Sequence, residues 1–156
     1  MKMKLKLFNE AGAHINGRIT LLAGAAIVRG DILKFKTDDS GAVVPGVVVP
    51  CTAKTDKAIG IALDGSADGE ILSVAILGNY AGTAVAKAGG AVTAGSKITP
   101  EGKVAEAGDT IIGFALDTAT AAGELIEIAH CVPVTDGVAA APAENGGGGE
   151  NGGVQG

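Results

Sequence analysis

The chain has 156 residues, enough for one domain with a buried core, and its chemistry is sparse: 47% of residues are hydrophobic, yet aromatics make up 3%, Trp is absent and 26 residues are glycine. A net charge of −5 excludes the basic footprint that phosphate backbones require, and so few aromatics leave little for bases or sugars to stack on, so neither nucleic acid nor glycan is an expected partner. No apolar run approaches the ~20 residues of a membrane span, and the two cysteines, Cys51 and Cys131, have no metal-site spacing and read as buried small hydrophobes.

In residues 1–7, Lys2, Lys4 and Lys6 alternate with Met3, Leu5 and Leu7, which in an extended segment gives one basic and one apolar edge. Such a segment is either the first strand of the domain or an arm that pairs with the sheet edge of a partner. No apolar signal region or cleavage site follows it, so the sequence predicts a protein kept in the cytoplasm until it joins whatever it serves. Residues 10–16 (EAGAHIN) read as a turn that ends this arm region, residues 1–16.

The body of the chain, residues 17–135, carries a repeat. AGAAIVRGDILKF begins at Ala23 and is echoed by AGGAVTAGSKITP from Ala88, so that Ile27 matches Val92 and Gly30 matches Gly95. Further on, KAIGIALDGSADGEILSVAIL (57–77) returns as TIIGFALDTATAAGELIEIAH (110–130), with Ile59 and Ile112 in register. The two copies span residues 23–77 and 88–129, and the first is longer because VVPGVVVPCTA is inserted near 43–53. Within the insertion Pro45-Gly46 marks a turn, and Pro50 demotes 47–49 to an edge strand or a loop.

Each copy reads as strands joined by glycine turns. Ile59, Ile61 and Leu63 (Ile112, Phe114 and Leu116 in the second copy) should point into a common core, while Gly60 and Ala62 (Gly113 and Ala115) form a flat opposite face. A flat face weakens a strand unless something packs on it, and a neighbouring subunit is the expected cover. The sequence therefore predicts an all-β domain built from two pseudo-repeats. After Thr135 the composition changes to a Gly-rich stretch, and residues 136–156 read as a flexible tail.

No constellation of residues carries a reaction. Asp64 and Asp117 end equivalent strands and are expected to bond their turn backbones; Glu70 and Glu124 follow Gly in the same repeat and read alike. His14 and His130 stand alone, and His130 replaces Ile76 on an inward position, as a satisfied core or interface histidine. Tyr80, between the copies, reads as a core or interface residue. The glycine-rich segments lack the Lys and following helix of a phosphate loop. The expectation is no catalytic site, no metal and no cofactor.

The succession AGAAIVRGDIL, KAIGIALDGSADGEILSVAILGNY, AVTAGSKITPEGKVAEAG and TIIGFALDTATAAGELIEI, covering roughly residues 19–128, resembles the capsid cement or head decoration proteins of tailed bacteriophages. The resemblance implies a compact sandwich- or barrel-like (β-tulip-like) fold and a homotrimer seated on the outer capsid surface of the virion. It also implies an N-terminal arm against the major capsid protein; Lys2, Met3, Lys4, Leu5, Lys6 and Leu7, outside the shared pattern, are the candidate for it by their alternation. Gly60, Ala62, Gly113 and Ala115 would then serve the subunit contact. Two rival readings are a β-clip or SAF-like ligand-binding accessory of a sugar-acid enzyme, which shares AG-x-x-I-x-x-GD before a short strand, and a secreted adhesin fragment.

Overall fold

A computed structural model describes residues 17–137; the arm, residues 1–16, and the tail from 138 onward lie outside the described residues. The described chain is all β, with nine strands and no helix: β1 (Arg18–Ala23), β2 (Ile32–Thr37), β3 (Val43–Pro50), β4 (Ala58–Ala62), β5 (Ile71–Ile76), β6 (Ala84–Lys87), β7 (Lys97–Ile98), β8 (Thr110–Ala115) and β9 (Leu125–Thr135). The first five close into a barrel in the order β1-β3-β2-β4-β5, and the last four form a sheet in the order β6-β9-β8-β7.

The repeat is visible as topology. β1 pairs with β5, β5 with β4 and β4 with β2, all antiparallel, and β6, β9, β8 and β7 repeat that order. Even the isolated bridges correspond, Ile27 with Ser66 and Val92 with Ala119. The turns correspond as well: Asp31 N–H donates to Val28 across Gly30 (φ 89°), and Ser96 N–H to Thr93 across Gly95 (φ 88°). Only glycine holds that left-handed conformation without strain, which is why both copies keep it.

What makes one copy a barrel and the other an open sheet is the insertion. It supplies β3, which pairs antiparallel with β2 and parallel with β1, so it is no edge strand. The prolines do not interrupt this because the parallel pairing uses only Val47 and Val48, between them. Pro50 is the last strand residue, and Pro45 lies where β2 and β3 slip register between Phe35–Val48 and Thr37–Val43. Pro45-Gly46 therefore forms an irregularity inside a strand, with Gly46 at φ 74°, rather than a turn between strands.

Two cores result. One fills the barrel, with Leu21, Leu33, Val48, Ala62, Leu72 and Val74 at its centre. The other lies between the barrel and the second sheet, where Ile32, Ala58 and Ile61 of the first copy meet Ile98, Ile112, Ile126 and Ile128 of the second. Each fully buried Ile contributes about 1.5–3 kcal/mol, so this joint makes the two copies one unit. Two ion pairs reinforce it: buried Asp31 meets Lys87, and Lys54 Nζ lies 2.8 Å from Asp109.

The expected two-residue alternation breaks at bulges. Leu33 pairs with Gly60 and Lys34 with Ala58, leaving Ile59 as an extra residue. The strand is re-aimed: Ile61 enters the joint between the copies, while Ile59 packs on the barrel core beside Ala62. In the second copy Ile112 is fully buried, but Phe114 and Leu116 are 48% and 44% exposed and do not face the core.

Candidate functional site

The four small residues of the repeat are covered by the chain itself. Gly60, Ala62, Gly113 and Ala115 are all buried. A Cβ on Gly60 would lie 2.4 Å from Val74 Cγ1 and 2.6 Å from the Ala75 carbonyl oxygen; one on Gly113 would lie 2.3 Å from the Ala129 carbonyl oxygen. Glycine at these equivalent positions admits the neighbouring strand, so any contact between copies would be made by the larger side chains beside them.

The acidic residues are engaged in backbone and ion-pair geometry. Asp64 accepts the Ser73 N–H and Asp117 the Glu127 N–H, each at 3.0 Å, so both tie the strand to its returning partner rather than to the intervening turn. Glu70 accepts the Ala67 N–H, and Glu124 accepts from both the Thr120 hydroxyl and its N–H. Asp31, Asp56 and Asp109 each bond an N–H three residues earlier, closing glycine or loop turns. No group of three or more His, Cys, Asp or Glu among the described residues is arranged for a metal ion, and no helix there is long and apolar enough to cross a membrane.

These bonds set a pH dependence. The Lys54 ammonium and the Glu106 N–H hold the Asp109 carboxyl below the usual range. Partial burial opposes ionisation of Asp56, but Lys34 and the Thr52 and Ala53 N–H groups outweigh it and lower its pKa; the Thr120 side chain and N–H do the same for Glu124. A carboxyl lowered in the folded state stabilises above its unfolded pKa, about 4, and loses that contribution as pH falls through the folded value. Lys54 is raised by the same pair, so its share persists until pH passes above ~10. The urea midpoint is expected to stay level from about pH 5 to 9 and to fall below pH 4. Removing Lys54 (Lys54→Met) should flatten part of the acid limb; an unchanged limb would show that the pair contributes nothing.

Cys51 and Cys131 are both free and half-buried, more open than expected. Burial, with Asp56 nearby, pushes the Cys51 thiol up to about 12 against the opposing Lys34, and burial also raises Cys131. Neither is poised as a thiolate nucleophile. His130 accepts the Gly78 N–H at Nδ1 (2.9 Å) and lies 6.1 Å from the Tyr80 ring, so it fastens the linker between the copies to β9. Its buried Nε2 has no hydrogen-bond partner among the described residues, so it is only half satisfied. Tyr80 packs on the joint core, as expected. Gly17, the first described residue, accepts the Ile76 N–H through its carbonyl and abuts Asn79 and Tyr80.

The outward face of the second sheet carries an exposed apolar patch. Phe114 on β8 lies between Lys97 and Ala129, and a groove of about 450 Å³ runs from there past Cys131 to Val134, with the 2.8 Å Lys97–Asp136 ion pair at its rim.

The model of the phage cement protein family matches residues 14–132. The chain belongs to that family. Membership gives this cement-family chain a structural role in a phage head and agrees with the resemblance carried by the repeat. No curated protein sequence matches it. Among solved structures, it is similar to the head fiber gp8.5 N base of bacteriophage phi29, at 15% identity and a TM-score of 0.51, over 71% of this chain and 90% of that one. At that identity the likeness is one of fold.

For the cement-family chain, the proposed arm residues, Lys2 to Leu7, lie outside the described residues. The apolar outer face was missed because strand period alone sent Phe114 and Leu116 inward. One signal was available: where the first copy has Ile32, the second has Lys97, a charge that the core between the copies would not accept.

Proposed function

We propose that the chain is a head decoration (cement) protein that binds the outer surface of a tailed-phage head as a homotrimer and stabilises the shell by bridging major capsid protein subunits. The observation that carries this reading is the family match over residues 14–132. The body supports it: carboxylates spent on turns and ion pairs, and an apolar outer face.

The arm is the shell-binding device. An extended terminal segment can add a strand to a sheet edge on the capsid protein, with backbone hydrogen bonds giving affinity. Met3, Leu5 and Leu7 supply the buried edge; Lys2, Lys4 and Lys6 discourage the arm from pairing with itself and favour an acidic partner surface.

Deleting residues 1–8 is expected to leave a folded protein that no longer sediments with expanded shells. Three apolar anchors at about 1.5–3 kcal/mol each correspond to a loss of at least about a thousandfold in affinity. Replacing the three Lys by Glu should slow association, most at low salt. Undiminished occupancy by the deletion variant would place binding on the body and reduce residues 1–8 to an accessory.

A further inference from the structure

The two copies repeat each other strand for strand, so each residue on the outer face of the second sheet has a counterpart in the first copy. One row across the barrel wall is Ile32, Ile61 and Ala75, in register on β2, β4 and β5. The matching row in the second sheet is Lys97, Phe114 and Ala129, in register on β7, β8 and β9. The first row is 5%, 0% and 1% exposed, because the second sheet covers that wall. In the second row Lys97 is exposed, Phe114 is 48% exposed and Ala129 is half-buried, with nothing of the described chain lying over them.

We infer that this face, centred on Phe114, Ala129, Cys131 and Val134, is the surface through which one copy of the chain receives the next. The inference rests on the homotrimer reading and deepens it by naming the contact. A second copy is the fitting occupant on three grounds. The chain already covers the equivalent wall with a sheet of its own, so sheet-on-sheet burial at this row is a geometry it uses. The groove's own charges, Lys97 and Asp136, neutralise each other, so the face brings no unpaired charge against a second copy. The size also fits: three strands about 4.8 Å apart with a rise of about 3.3 Å per residue make a face of roughly 300–500 Å² before side-chain relief. That is a large part of the ~800 Å² each partner gives a standard interface. A face of one copy meeting a different patch of the next is a head-to-tail contact, the kind that closes into a ring of three.

The test uses the full chain, native mass measurement and maleimide labelling, with Cys131 as the reporter inside the face and the more buried Cys51 as internal reference. Wild-type protein is expected at the trimer mass with Cys131 protected. Phe114→Asp, at a side chain already half exposed, should keep its urea midpoint, raise the dissociation constant at least about thirtyfold as an aromatic anchor does, and expose Cys131 to labelling. Val43→Asp, on the barrel and 56% exposed, should stay trimeric. A Phe114→Asp variant that remains trimeric with Cys131 protected overturns the assignment of the face and leaves the trimer standing. A monomeric wild type with reactive Cys131 overturns both. If deleting residues 1–16 frees Cys131 without changing the number of subunits, the occupant is the chain's own N-terminal segment, and the inference is wrong.

Discussion

Val48→Asp is expected to abolish folding. Val48 is fully buried at the centre of the barrel core, on the strand that closes the barrel between β1 and β2. A carboxylate there has no cationic partner and costs several kcal/mol, or is forced to take up a proton. The substitution also removes a buried side chain worth about 1.5–3 kcal/mol. Together these losses approach the whole stability of an ordinary domain, about 5–15 kcal/mol. Circular dichroism and a urea titration of the purified variant give the measure, with Val43→Asp, 56% exposed on the same strand, expected within about 0.5 kcal/mol of the parent. A cooperative Val48→Asp protein with an unchanged midpoint would show that the barrel does not depend on its inserted strand.

Gly113→Ala should cost about 3 kcal/mol, and Gly60→Ala about 2 kcal/mol. At Gly113 a Cβ meets the Ala129 carbonyl oxygen at 2.3 Å on a backbone with φ 156°, so overpacking and conformational strain add together. At Gly60 the nearest atom is the Val74 side chain, which can shift by a rotamer, although the Ala75 carbonyl oxygen at 2.6 Å cannot. For a domain of this size the larger loss lowers the melting temperature by on the order of 10 °C. Gly90→Ala, which meets nothing within 4 Å, should be neutral or slightly stabilising. Equal melting temperatures for Gly90→Ala and Gly113→Ala would mean that the strands can separate to admit a methyl group.

The repeat, the all-β class and the role of its acids as backbone partners were legible because they reside in local pattern: glycine turns, branched strand residues and an Asp after each strand. The barrel was not. Whether an inserted strand is an edge or a closing stave depends on which partner reaches its second side, and β1, the parallel neighbour, lies more than twenty residues away in sequence. Bulges were illegible for a related reason. One extra residue at Ile59 leaves the composition of the strand untouched while exchanging the two faces beyond it, so Ile59 and Ile61 part company. Phe114 was misread because a large apolar residue at strand period looks the same whether its cover comes from its own chain or from elsewhere.

One wall of the barrel is the pairing of β1 with β5, which joins Arg18 to Ala75. Closing so long a loop fixes much backbone before the contacts are gained, a combination that slows folding. During synthesis the first strand must wait, unpaired on that side, until residue 75 has left the ribosome. The same delay acts in reverse: once sealed, the barrel opens only by giving up pairings that no local rearrangement restores. In the shell-fastening role proposed above, slow opening would count for more than depth of stability.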